Sequence, residues 1–297
     1  MVENSKAYKC FLVFDYIIVG FLALLCFLPI LHVFAVSLSD RVANSAGMVS
    51  FWPVNLNLES YRYMMKDLEF VRAFFISVVR TAVGGAVQVA MTILCAYPLS
   101  KSSVRMPSRI VYVWFFLIAS LFSGGLVPTY LLVKQLGLLN SFWAMIIPGA
   151  VPIGNVILML NFFRNLPKEM EEAALIDGAG QMKVLLHIYI PLSKASIATI
   201  ALFSMVGHWN SWFDGKIYFT KTAMQPLATY LHTMVSQSTL NVIMETTDMS
   251  VLEQLMTITN ESLKSAQLFI GMIPILCVYP FIQKYFTKGI VVGSLKG

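Results

Sequence analysis

Six stretches of this chain are apolar for about the length a helix needs to cross the hydrocarbon of a bilayer, roughly 20 residues. They fall at residues 11–38, 73–99, 110–127, 142–163, 195–212 and 266–286. Backbone N–H and C=O groups surrounded by hydrocarbon must be satisfied within the segment, so each stretch is expected to cross as a helix. The fold class that follows is an all-α integral membrane protein with six transmembrane helices. Composition agrees, because only 12% of the 297 residues are charged, against about 25% in an ordinary soluble domain. With no internal repeat and no low-complexity region, residues 1–297 read as a single transmembrane domain.

Charge sets the expected orientation. With the N-terminus inside, twelve of the 21 Lys and Arg residues fall on the inner face, and the whole net charge of +6 collects there. Basic residues of membrane proteins gather on the cytoplasmic side, so the pI near 9 calls for no nucleic-acid partner. Both termini are expected in the cytoplasm, with residues 39–72 and 213–264 outside. Lys6 and Lys9 precede an apolar run much longer than the 7 to 15 residues of a signal-peptide core, and no small-residue cleavage site closes it, so the run reads as a retained first span. The four cysteines (Cys10, Cys26, Cys95 and Cys277) lack any Cys-x-x-Cys spacing, and they read as small buried hydrophobes rather than a disulfide framework or metal site.

Polar residues inside the spans are few. Arg80 either lines a solute path, snorkels to an interface or bonds another helix. Gly84 and Gly85 offer close packing. Residues 123–128 (Ser-Gly-Gly-Leu-Val-Pro) are expected to end the third helix, with residues 129–140 as a short interfacial helix. Pro148, Gly149, Pro152 and Gly154 predict a kinked or unwound fourth span, where Asn155 faces a solute path or makes an interhelix hydrogen bond. Trp209, Asn210, Trp212 and Asp214 stand where the fifth span leaves the membrane. Aromatic faces beside amides and carboxylates suit a sugar, and they suit still better an interfacial aromatic belt.

The most acidic run lies between the fourth and fifth spans, with four carboxylates in the nine residues Glu169 to Asp177. Pro167 suits a helix start, Glu169, Glu171 and Glu172 suit the positive end of the helix dipole, and Gly178 or Gly180 suits the stop. Gln181 to Ile190 can form a second helix before Pro191. The result is a helix-turn-helix elbow on the cytoplasmic face. Ala173 and Ala174 allow another surface to approach closely, and Glu172 offers a carboxylate for a partner's arginine. An ordinary amphipathic interfacial helix fits the same pattern.

Glu172-Ala173-Ala174, Asp177-Gly178-Ala179, Ile188 and Ile190-Pro191 resemble the EAA loop of importer-type ABC permeases, with Ile190 where the family usually has Leu. The Asp-Gly-Ala form and the 289–297 tail resemble the MalG-like carbohydrate branch. Residues 99–101, 123–128, 149–155 and 207–215 resemble a subgroup of LplC- and YtcP-like permeases that imports complex or acidic oligosaccharides, alginate among them. The resemblance implies a type I ABC importer (MetI-like) fold with a cytoplasmic coupling helix in an inner-membrane, multi-pass subunit. Glu172, Ala173, Ala174, Asp177, Gly178 and Ala179 would meet the ATPase, and Gly293, Lys296 and Gly297 of the tail would reach toward the ATPase dimer.

Asn155, Trp209, Asn210 and Trp212 would mark the solute path. Partners implied are a second, homologous permease subunit, an ATPase dimer, an extracytoplasmic solute-binding protein, an oligosaccharide and membrane lipid. The chain has no G-x-x-x-x-G-K-[ST] phosphate loop, so ATP and Mg would be bound by the partner ATPase, with no catalytic residue, metal or cofactor here. The alternatives are an importer permease for a non-sugar solute and a membrane-embedded enzyme. His32, His187, His208 and His232 are scattered, without an H-E-x-x-H, which disfavours the enzyme.

Overall fold

A computed structural model describes residues 6–102, 104–122, 124–236 and 260–294. The regular elements among them are helices, with one isolated antiparallel bridge between Ser39 and Leu56. The principal helices are α1 (Lys6–Ser37), α2 (Leu68–Ser100), α3 (Arg109–Leu121), α4 (Leu126–Gln135), α5 (Ile153–Arg164), α6 (Lys168–Ile176), α7 (Gln181–Leu192), α8 (Lys194–Asn210), α9 (Phe213–Tyr218), α10 (Leu227–Ser236) and α11 (Asn260–Ser294). Three are long and apolar enough to cross a bilayer unaided: α1, α2 and the Glu261–Val278 part of α11. Three bent pairs raise the number of crossings to as many as six.

Each break has a local cause. At 13 residues, α3 is about 20 Å long, short of the ~30 Å hydrocarbon core. The third apolar stretch, expected as one helix to residue 127, therefore needs correction. The helix stops at Leu121, and Leu126, Val127 and Pro128 open α4 behind Gly125, whose φ of 83° belongs to glycine. Pro128 starts a helix instead of ending one, since a first turn has no use for the N–H that proline lacks. The interfacial helix expected at 129–140 is in fact Leu126–Gln135.

The fourth stretch breaks as foreseen, with two 3₁₀ turns at Phe142–Met145 and Ile147–Gly149 meeting α5 at 50°. Between α7 and α8 the chain turns by 84°. Just before that turn, Leu185–Tyr189 widens into a π-helical turn. Pro191 explains it, because its ring crowds the carbonyl four residues back and it offers no N–H to bond.

Two boundaries also move outward. α2 begins at Leu68, its start capped by Asp67, whose Oδ1 accepts from the Glu69 N–H at 2.9 Å. α11 absorbs residues 288–294, which the sequence alone assigned to a tail.

The chain falls into two compact units: residues 1–71 with 231–273, and residues 72–230 with 274–297. In the first, Asn44 Nδ2 donates to Val36 O at 3.0 Å, Ser39 O at 3.2 Å and Ser262 Oγ at 2.5 Å, pinning the turn after α1. In the second, Ala96, Tyr97 and Leu99 of α2 bury against Met159, Leu160 and Phe163 of α5, Leu185 and Tyr189 of α7, and Ile200 of α8. Gly84 lets α2 meet α8 closely, since a Cβ there would lie 2.5 Å from His208 Nε2.

Arg80 of α2 is 1% exposed and bonds to the start of α9. Its guanidinium donates to Ser211 O at 2.9 Å and to both carboxylate oxygens of Asp214. Of the readings open to Arg80, the interhelix bond is the one realised, and Asp214 is engaged by it. Asp214 also accepts from Ser211 Oγ at 3.0 Å and the Gly215 N–H at 2.8 Å. Removing one partner of a buried pair strands the other charge, whereas replacing both is far milder. Asp214→Ala is expected to cost on the order of 3 kcal/mol, and Arg80→Met with Asp214→Leu to recover most of it, read as thermal unfolding in detergent.

Candidate functional site

The acidic run folds as the elbow the spacing foretold. α6 starts at Lys168 behind Pro167 and carries Glu169 and Glu171 in its first turn. It ends at Gly178, where φ is 80°. The Gly178 N–H reaches Leu175 O at 3.1 Å and the Ala179 N–H reaches Ala174 O at 2.9 Å. This pair of bonds satisfies the last carbonyls of the helix and needs a left-handed residue at position 178, the role of glycine. α7 then returns along the other limb to the 84° turn into α8.

Consecutive residues on α6 sit about 100° apart around its axis, so Glu171 and Glu172 cannot share a face. Glu171 points inward and is 4% exposed. Its Oε1 lies 2.9 Å from Lys101 Nζ and 2.6 Å from Arg105 Nη1, and its Oε2 accepts from the Tyr189 hydroxyl at 2.5 Å. The Lys101 ammonium is held between the Tyr97 and Tyr189 rings, 3.9 and 4.0 Å from their centroids. Tyr97 in turn donates to Gln181 Oε1 at 2.8 Å, at the start of α7. Glu172 points outward with its side chain 59% exposed, and its nearest cation is Arg105 Nη2 at 3.9 Å.

Ala173, Asp177 and Gly178 are exposed, while Ala174 and Ala179 are half-buried and pack on the core. Ile176 is 86% exposed, an apolar side chain with no cover of its own. In the sequence Glu171 reads with its neighbours as a dipole-stabilising acid; its cationic partners Lys101 and Arg105 escape sequence reasoning because they lie 66 or more residues away. The available signal was the basic turn Lys101 to Arg105, adjoining a span end.

The residues considered for the solute path differ in their surroundings. Asn155 Nδ2 reaches Ser204 Oγ at 3.4 Å, an interhelix contact. Trp209 is buried, edge-on to Phe74 with centroids 5.9 Å apart. It also lines a cavity of about 710 Å³ whose other walls include Val78, Leu202, Val206 and Pro274, too apolar to hold a sugar by hydrogen bonds. Asn210 is exposed, and Trp212 is half-buried, edge-on to Phe213 at 5.4 Å. Of the tail, Gly293 falls within α11, and Lys296 and Gly297 lie outside the described residues. No group of three metal-ligating side chains occurs among the described residues.

Residues 13–292 match the family described as binding-protein-dependent transport system inner membrane component. The chain belongs to that family. The permease is 37% identical over 296 residues to Protein LplC of Bacillus subtilis (strain 168), covering 100% of this chain and 98% of that one. It is also 37% identical to the polygalacturonan/rhamnogalacturonan transport system permease protein YtcP of the same strain, covering 96% and 98% of the two chains. Among solved structures, it superposes with a TM-score of 0.85 and 28% identity on a chain of a bacterial ABC transporter involved in the import of the acidic polysaccharide alginate, covering 95% and 99%. It is thus a multi-pass inner-membrane subunit of the ABC importer type with the MetI-like fold, a transporter component and not an enzyme.

Burial alone pushes the Glu171 carboxyl up, but the Tyr189 hydroxyl, the Lys101 ammonium and the Arg105 guanidinium outweigh this and hold it below its ordinary 4.5. A carboxyl whose folded pKa is depressed stabilises the fold fully above the ordinary value and loses that contribution as pH falls through the lower, folded value. Amide-exchange protection in α6 and α7 is expected to hold steady from neutral pH down to about 5 and to fall only below the ordinary carboxylate range, ahead of the core of α2.

Proposed function

We propose that this permease is the translocating subunit of an ABC importer for an oligosaccharide, acidic polysaccharide fragments such as alginate or polygalacturonan being the favoured class. The substrates printed for its relatives support that choice. A second, homologous permease would complete the pathway across the membrane. An extracytoplasmic solute-binding protein would deliver the sugar, a partner in keeping with the family description. Both termini would lie in the cytoplasm, and residues 1–297 would act as one transmembrane domain.

The drive would come from a separate ATPase dimer that binds ATP and Mg, since this chain has no phosphate loop. The α6–α7 elbow would be its seat. The observation carrying this reading is that Glu172 and Ala173 stand exposed on a helix whose opposite face is anchored by buried charge. Glu172 would take a basic group of the ATPase, Ala173 and Ala174 would leave room for its surface, Gly178 would set the bend with Asp177 and Ala179, and Gly293, Lys296 and Gly297 would approach the dimer. Closure of the ATPase would then swing the spans between outward and inward access.

For the solute, Asn210 and Trp212 are the better candidates, because Asn155 and Trp209 are committed to packing. Glu172→Lys reverses the charge at an exposed position, so folding should survive. Solute-stimulated ATP hydrolysis by the reconstituted complex should drop by at least about tenfold, the scale of a lost charged contact at an interface. Undiminished stimulation would remove the elbow from the coupling path.

A further inference from the structure

A docking surface transmits force only if something stiff joins it to the part that must move. Glu171 and Glu172 are adjacent in α6 and point about 100° apart around its axis, one buried and one exposed. The buried one gathers three segments: Lys101 and Arg105 from the turn that ends α2, Glu171 from α6, and Tyr189 from α7. Lys101 is itself immobilised between two aromatic rings that belong to α2 and α7. Phe163 of α5 packs edge-on against both rings, at 6.3 and 5.3 Å, so the cluster has little room to shear.

We propose that Glu171 is a positioning residue for coupling, tying the elbow to the end of α2 through Lys101 and Arg105 so that a push on the exposed face moves α2 with it. The proposal rests on reading the elbow as the seat of the ATPase. Arg105 gives the tie a second property. Its side chain is 37% exposed and lies across both acids, with Nη1 at 2.6 Å from Glu171 and Nη2 at 3.9 Å from Glu172. A basic group of the ATPase that takes Glu172 displaces Arg105 from it and leaves the guanidinium wholly to Glu171. Docking outside therefore tightens the bond inside.

The test uses the assembled importer, with its ATPase and binding protein, in lipid vesicles, and measures solute moved per ATP hydrolysed. Glu171→Gln and Lys101→Met are expected to keep the ATPase bound through purification and still hydrolyse ATP, yet to move about tenfold less solute per ATP, the scale of a coupling energy between linked sites. Lys101→Arg keeps a stackable cation and is expected to restore the ratio. An unchanged ratio in Glu171→Gln, or Lys101→Arg performing as poorly as Lys101→Met, overturns the tie.

A measurement that spares the cluster covers variants that do not fold. Spin labels at Ser102→Cys and Lys168→Cys, with the four native cysteines replaced, should keep their separation to within about 2 Å between nucleotide-free and ATP-bound complexes, as in one rigid body. Relative movement beyond about 5 Å overturns the tie as well. Failure of the seat itself shows separately, as unaltered solute-stimulated hydrolysis in Glu172→Lys.

Discussion

A carboxylate buried among aromatic rings stays ionised only where cations and donors reach it from every open side. Water cannot supply them, and an unpaired charge there is expensive. Glu171 meets that demand with Lys101, Arg105 and the Tyr189 hydroxyl. The demand fixes much else: α2 must end where Lys101 can turn inward, α7 must bring Tyr189 within reach, and α6 must be wound so that position 171 faces in. Several kinds of packing would hold an apolar elbow somewhere against the core. The charge cluster holds it in one place.

Arg80 and Asp214 apply the same logic farther along α2, toward its N-terminal end. α2 therefore carries one charged attachment in its N-terminal half, at Arg80, and one just past its C-terminal end, at Lys101, with apolar contacts to α5 and α8 between. Apolar packing in a bilayer gains little from the solvent and discriminates weakly between neighbouring registers. Polar attachments at two levels remove that freedom.

Much of the fold was legible because its causes are local. Apolar length announced the crossings, Pro148 and Pro152 announced the broken fourth span, and Gly178 announced the bend of the elbow. The charge of Leu68 to Arg72 marks them as outside the apolar crossing, and it says nothing of the helix, which continues through them past the apolar part of α2. Pro128 was read as a stop because a proline near a helix end and one near a helix start look alike until the glycine before it is seen at positive φ.

The candidate site divides the same way. Glu172, Ala173, Ala174 and Gly178 belong to a short spaced pattern that a single chain displays. The partnership of Glu171 with Arg105 joins positions 66 apart, and that of Arg80 with Asp214 joins positions 134 apart, so only the folded chain reveals either. Trp209 has the chemistry of a sugar contact, and in the fold it packs edge-on against Phe74, since an indole serves both ends and its surroundings decide.

The adjacent glutamates of α6 have an effect on how this segment tolerates changes in length. One residue added or removed between Pro167 and Glu171 rotates everything after it by about 100°, which takes the anchored acid out of reach of its partners and puts an adjoining residue in its place. The segment can therefore exchange side chains far more readily than it can gain or lose a residue. Its length, as much as its composition, is part of what it inherits.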